Sequence, residues 1–251
     1  MVLHLIGIGL CGEKDLSVRA LECVRAADVV YVEGYTSVLQ VGVEELERFY
    51  GRMVKVLGRE AVESGLDDLL EQARQQEVAL LVVGDCFGAT THAVILAEAR
   101  RKGVQVRVLH GASILTAVGV TGLELYKFGK VTSIPFRTEG VGTPYEVLAS
   151  NHAAGLHTLM LLDLDPGSGR FLSVGEAARY LLEAELRFGR GVVSPDSEVV
   201  GCARLGCPDQ VVRYAPLRSL AVAEFGAPPY CLIVPGRLHF VEEEVLALYR
   251  G

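Results

Sequence analysis

"VLHLIGIGLCGEKDLSVRALECVRAADVVYVE", residues 2–33, changes its hydrophobic period twice. Residues 2–9 are a short apolar run ended by Gly7 and Gly9 and read as a strand. Residues 15–27 carry apolar side chains at helical spacing behind Asp15, which reads as the helix cap. Residues 28–33 are rich in β-branched side chains again. This is a β-α-β unit, and strands joined through a helix run parallel. The alternation continues outward with helices over 43–50, 66–76 and 91–102 and strands over 53–57, 78–84 and 104–110. Nearly continuous apolar strands between amphipathic helices predict a parallel sheet covered on both faces.

Beyond about residue 112 the rhythm changes. The segment 113–123 is apolar and helix-like, 130–136 and 157–164 read as strands, and 173–188 is a long amphipathic helix. Strand-like runs follow at 197–206, 210–215 and 230–236, the first two close enough to make a hairpin. A mixed sheet is expected in this half. The expected fold class is therefore α/β with two domains, residues 1–111 and 112–251, and no flexible linker.

The composition narrows the function. The chain has 251 residues, 50% of them hydrophobic and 22% charged, with 28 glycines, as a compact α/β enzyme has. A net charge of -7 and the lack of any Lys/Arg-rich run argue against nucleic acid as partner. No apolar stretch is long enough for a bilayer and no basic leader precedes residue 9, so a cytoplasmic protein is expected, with no membrane contact. The six cysteines contain no C-x-x-C pair, and no zinc-ligand spacing arises.

Gly7-x-Gly9-x-x-Gly12, with Glu33 about twenty residues on, has the spacing of a dinucleotide fingerprint. In that fold the glycines open the helix directly and its N-terminus faces the pyrophosphate. Here Asp15 stands three residues past Gly12, and "EKD" puts two carboxylates where a pyrophosphate would sit. A nicotinamide nucleotide with Glu33 on its ribose is a poor fit, and a purely structural turn fits better. The stretch "VVGDCFGATTHA", residues 82–93, follows the fourth strand, so Gly84, Asp85 and Gly88 share the sheet edge of Gly7–Gly12. Ligands of open α/β sheets bind at that edge. Two such corners offer close backbone approach, the Asp85 carboxylate, and apolar walls from Leu10 and Phe87. They suit a flat base with a positive centre better than a polyphosphate. Alternatively, Asp85 caps the helix near Thr90 or satisfies loop amides.

At this point several stretches together resemble a known family. They are "LIGIGLCGEKDLS" (5–17), "EGYTS" (33–37), "GDCFGATTHA" (84–93), "HGASILTAVGVTGLELYKFGKVTSIPF" (110–136), "GLHTLMLLDL" (155–164) and "PPYCLIVPGRLHFVEEE" (228–244). The family is that of the diphthine synthases, S-adenosylmethionine-dependent methyltransferases within the tetrapyrrole-methylase superfamily. The resemblance runs nearly end to end; "ATTHA", "SILTAVGVTGLELYKFGK" and "LIVPGRLH" are its most particular parts. It implies two α/β domains with S-adenosylmethionine in the cleft between them, S-adenosylhomocysteine as product, a homodimer, and translation elongation factor 2 as protein substrate. Carried over by position, the cofactor contacts are Leu10, Asp85, Gly88, Ser113 and Ile114, then Leu162, Leu205 and Tyr230. Val83 and Cys86 stand where the family has prolines, which predicts a looser second corner. Tyr230 stands where some relatives have His.

The implied reaction is successive methylation of the amine on a 3-amino-3-carboxypropyl-histidine. The methyl donor is already activated, so alignment is the enzyme's main duty and a base serves to keep the amine unprotonated. His92, Asp163, Asp165 and Glu33 are the candidates for that base, and no catalytic residue is assigned. Asp163 and Asp165 also read as turn formers before Pro166-Gly167, and His239 as a corner residue. Lys127, Lys130 and Arg137 could meet the arm's carboxylate or a partner surface. The alternatives are a precorrin-type methyltransferase of the same fold and a non-catalytic nucleotide-binding interaction protein. The apolar segment 112–125 predicts self-association.

Overall fold

A computed structural model describes residues 1–58, 65–90 and 92–250, which fall into two compact units, Met1–Ala117 and Val118–Gly251. In the first unit the chain runs β1 (Val2–Gly7), α1 (Val18–Ala26), β2 (Val29–Glu33), α2 (Val43–Tyr50), β3 (Val54–Leu57), α3 (Leu66–Gln75), β4 (Val78–Val82), α4 (Ala93–Arg101), β5 (Gln105–Leu109) and a short α5 (Ile114–Ala117). The strands lie in the order β3-β2-β4-β1-β5, and every pairing is parallel. The alternation of β1 sorts its side chains onto two faces. Ile6 and Ile8 pack with Ala20, Val24, Leu46 and Tyr50 on one face, while Leu3 and Leu5 pack with Leu70, Ala73, Ile95 and Ala99 on the other. β4, buried at every position, is the centre of the sheet. Each of its leucines removed from water contributes roughly 1.5–3 kcal/mol.

This strand order positions the site. The chain leaves β1 toward β2 across one face of the sheet and leaves β4 toward β5 in the opposite direction across the other, so these adjacent strands send their connections to opposite faces. Such a switch point opens a crevice.

The second unit contains 3₁₀ turns at Val118–Thr121 and Leu125–Lys127, β6 (Thr132–Ile134), α6 (Thr143–Ala153), β7 (Thr158–Leu162), β8 (Leu164–Asp165), β9 (Arg170–Phe171), α7 (Val174–Phe188), β10 (Glu198–Ala203), β11 (Val211–Pro216), α8 (Leu217–Leu220), β12 (Tyr230–Val234) and α9 (Phe240–Ala247). Its sheet is mixed, in the order β11-β10-β12-β7-β6, with only the β6–β7 pair parallel. Tyr145, Leu148, Met160, Leu181 and Leu232 anchor its core. The α7 helix opens on a reciprocal cap, Ser173 with Glu176, and ends on Gly189 at φ 63°. The helix-like reading of 113–123 is only partly met: α5 stops at Ala117 and 3₁₀ turns follow. Gly122, at φ +86°, lies so close to Val245 that a Cβ there would come within 2.4 Å of that residue's Cβ. The helix read at 91–102 begins at Ala93, and Thr91 is outside the described residues. Cys23, Cys86, Cys202 and Cys231 carry free thiols, Cys202 lying opposite Cys231 across the β10–β12 pair.

Candidate active site

Three corners of the first unit meet at the carboxyl edge of its sheet, and glycines let them. Gly9 and Gly84 pair backbone to backbone, Gly9 N–H donating to Gly84 O at 3.2 Å and Gly84 N–H to Gly9 O at 2.6 Å. Both sit in the left-handed region, at φ 79° and 83°. A Cβ on Gly7 would lie 2.6 Å from Gly111 N and 2.7 Å from Gly84 O, so the corners after β1, β4 and β5 touch through bare backbone.

The first corner is closed by its own carboxylate. Asp15 Oδ2 accepts the N–H groups of Cys11 at 2.6 Å and Gly12 at 3.2 Å. The cap of α1 is therefore Ser17, which accepts from Ala20 N–H, and not Asp15 as the spacing predicted. The reason is that the amides Asp15 satisfies belong to the loop rather than the helix. They are the amides a pyrophosphate would need. Glu33, the supposed ribose ligand, is 1% exposed.

The second corner presents Asp85. Its Oδ1 accepts from Phe87 N–H at 2.9 Å, while Oδ2 accepts from His110 Nδ1 at 2.8 Å and Gly111 N–H at 3.1 Å. Burial opposes its ionisation, but these donors outweigh burial and hold the carboxyl below its ordinary value. The alternative in which Asp85 satisfies loop amides is thus part of its role. Without the family's prolines the corner is not left loose. Thr90 Oγ1 donates to Cys86 O at 2.9 Å, and Cys86 Sγ lies 3.8 Å from Leu109 O.

Behind this corner His92 and Glu33, both buried, stand with Nε2 and Oε2 2.6 Å apart. Their approach is bent away from regular hydrogen-bond geometry, and neither atom has another partner among the described residues. On the other side of the ring, Nδ1 lies 3.0 Å from Thr90 Oγ1. The single Thr90 hydroxyl proton is on Cys86 O, so Nδ1 carries hydrogen and donates. Both residues are too deeply shielded to touch a substrate and act as a brace for the corner.

The remaining expected contacts are distributed as follows. Leu10, half-buried, reaches toward Gly84, with its Cδ2 3.9 Å from where a Cβ would be. Gly88 packs on Ser113, whose Oγ would be 2.2 Å from an added Cβ; Ser113 and the half-buried Ile114 open α5. In the second unit, Leu162 ends β7, Leu205 follows β10 and Tyr230 begins β12. The register sets Ala203 opposite Tyr230 and Leu161 opposite Cys231, so these three residues share one edge of the second sheet.

Other candidates are already engaged. Lys127 binds Glu242 and the Arg237 carbonyl, which removes it from the substrate role foreseen for it. His239 caps α9. Asp163 accepts from Phe136 N–H and Leu164 N–H, and Asp165 turns the β8–β9 hairpin. His110 was not singled out in the sequence. The signal was its position one residue past β5, on the same edge as Asp85.

The tetrapyrrole (corrin/porphyrin) methylase pattern matches residues 2–221. A diphthine synthase of Methanocaldococcus jannaschii is 40% identical over 250 residues, spanning 98% of this chain and 97% of its own length. A diphthine methyl ester synthase of Homo sapiens is 41% identical over 270 residues, spanning 99% and 95%. A crystal structure of diphthine synthase matches with a TM-score of 0.91 at 40% identity, covering 100% of this chain and 96% of the other. With three glycine corners bridged at one sheet edge and homology from end to end, the chain belongs to the tetrapyrrole methylase family and, within it, to the diphthine synthases.

Proposed function

We propose that the chain moves methyl groups from S-adenosylmethionine to the amine of a 3-amino-3-carboxypropyl-histidine on translation elongation factor 2, successively, giving diphthine and S-adenosylhomocysteine. Methyltransferase activity in diphthamide biosynthesis comes with the family. The observation that carries the finer reading is the end-to-end similarity, at 40% and 41% identity, to relatives named for diphthine.

The first unit fits the donor. Asp15 already occupies the Cys11 and Gly12 amides of the first corner, so those donors are not open to a polyphosphate. Leu10, Phe87 and Ile114, each half-buried, offer apolar walls to a flat base, and the ionised Asp85 suits a positive centre. Leu10, Asp85, Gly88, Ser113 and Ile114 would hold the donor in this unit, with Leu162, Leu205 and Tyr230 contributed by the other. When bound, S-adenosylmethionine supplies a methyl group activated on sulfur. These residues hold the donor still, and alignment with the incoming amine is worth roughly 7–11 kcal/mol of barrier when the geometry is good.

The proposal includes a homodimer in the cytoplasm. Tyr126, Phe240 and Leu248 are 81%, 70% and 79% exposed on two adjacent segments of the second unit, which Glu242 ties together. Apolar groups gathered so openly mark a contact surface. Among the described residues no helix is long and apolar enough to cross a membrane.

The test is transfer of labelled methyl from S-adenosylmethionine. Label on one histidine-derived site of elongation factor 2 bearing the unmethylated arm supports the reading. Label on a precorrin-type tetrapyrrole alone replaces the substrate, and donor binding with no transfer replaces the enzyme by an interaction protein. Alkali then separates amine methyls, which stay, from an ester methyl, which leaves.

A further inference from the structure

His110 stands at the ligand edge with one side fixed and the other open. Its side chain is 71% exposed, although its Nδ1 is 2.8 Å from Asp85 Oδ2. The Phe87 ring meets the imidazole edge to face, with centroids 6.2 Å apart, and limits its swing. Asp85 is an ionised acceptor, already taking N–H groups from Phe87 and Gly111. Nδ1 therefore carries the hydrogen of this bond, and in the neutral ring Nε2 is left as a lone pair directed away from the carboxylate. An orienting carboxylate behind a histidine whose other nitrogen is free is the arrangement of a general base.

The proposed reaction needs one. An alkylamine is an ammonium near neutral pH and has no lone pair to offer. After each transfer the nitrogen again carries a proton that must leave before the next.

We propose that His110 Nε2 takes that proton, with Asp85 holding the ring; this rests on reading the second corner as part of the donor site. In each cycle the substrate N–H bond breaks and its proton passes to Nε2, freeing the lone pair. The nitrogen attacks the methyl carbon, the carbon–sulfur bond breaks with its electrons on sulfur, and S-adenosylhomocysteine remains. The exposed ring returns its proton to solvent before the next cycle. Asp85 is the charged group that pairs with this ring. Cys86, the neighbouring titratable group, turns its thiol to the Leu109 carbonyl instead.

His110→Asn tests the role, because the Asn amide can still donate to Asp85 while removing the basic nitrogen. Its methyl-transfer rate at neutral pH should fall about a hundredfold or more. Binding of S-adenosylhomocysteine, read by calorimetry, should stay within about threefold of native. The rate deficit should shrink as pH rises and the ammonium loses its proton unaided, and added imidazole should restore part of the rate to His110→Ala. A native rate in His110→Asn overturns the proposal. So does a rate loss matched by an equal loss of affinity, or one that is constant with pH, since the residue would then only position Asp85. If the native protein binds no S-adenosylhomocysteine, the donor site itself has been misread, and its failure is seen before any variant is made.

Discussion

Glu242 has no exposed surface, and its carboxylate is satisfied by donors from three separated stretches of chain. It accepts from Glu124 N–H at 2.9 Å, His239 N–H at 2.7 Å and His157 Nε2 at 2.8 Å, besides the Lys127 ammonium. Burial alone would raise its pKa; the donors prevail and hold it at about 2, against 4.5 for the free group. His157 accepts from Gly236 N–H through Nδ1, so it is neutral, and burial keeps it below the ordinary histidine value. For both groups the folded value is the lower one. Their stabilisation is present above the unfolded values and is lost as pH falls, first below 6.5 for His157 and then from 4.5 toward 2 for Glu242. Glu242→Gln should cost about 3–5 kcal/mol in urea unfolding at neutral pH and flatten the acid limb below pH 4.5. Gly88 allows a second comparison. Gly88→Ala pushes a methyl against Ser113 and should weaken S-adenosylhomocysteine binding by about tenfold, whereas Gly12→Ala meets, among the described residues, only Val41 at 3.6 Å and should bind as native.

The elements were legible where local pattern and burial agree. α2 spans the residues that its periodicity marked, with Leu46 and Tyr50 inward and glutamates outward. α6 was missed because it is buried around most of its girth, with Tyr145, Val147, Leu148, Ala149 and Asn151 all inside, leaving no apolar stripe to read. α9 was implied only by reading His239 as a strand-to-helix corner, and its span went unmarked because its pattern is inverted, with a buried Glu242 and an exposed Phe240. The glycine corners were visible as motifs, yet the partners of Asp85 were not. Those depend on parallel register bringing the end of β5 beside the β1–β4 pair, a long-range fact without local signal. The reassigned cap gives a prediction at this scale. Ser17→Ala should lower stability by about 1 kcal/mol in thermal or urea unfolding, with donor binding unchanged. Asp15→Ala should instead weaken donor binding, since it frees Cys11 and Gly12 amides and loosens the corner.

Among the described residues the molecule carries two five-stranded sheets with their own cores and a short β8–β9 ribbon; its net charge is -7, and an apolar face with Tyr126 and Phe240 stands exposed on the second unit. That face predicts the oligomeric state. The double variant Tyr126→Glu, Phe240→Asp should halve the mass seen by light scattering and leave the circular dichroism spectrum unchanged, because both side chains lie outside the cores. An unchanged mass would remove this face as the interface.

The buried thiols have a practical consequence. Cys86 lies within the first unit, where burial pushes it up to about 12, and the Cys202–Cys231 pair lies within the second. An alkylating reagent reacts with a thiolate it can reach, and the fold withholds these sulfurs from it. Peptide mapping of labelled Cys86 and of labelled Cys202 and Cys231 would thus follow the opening of each half of the chain in one sample, without any inserted probe.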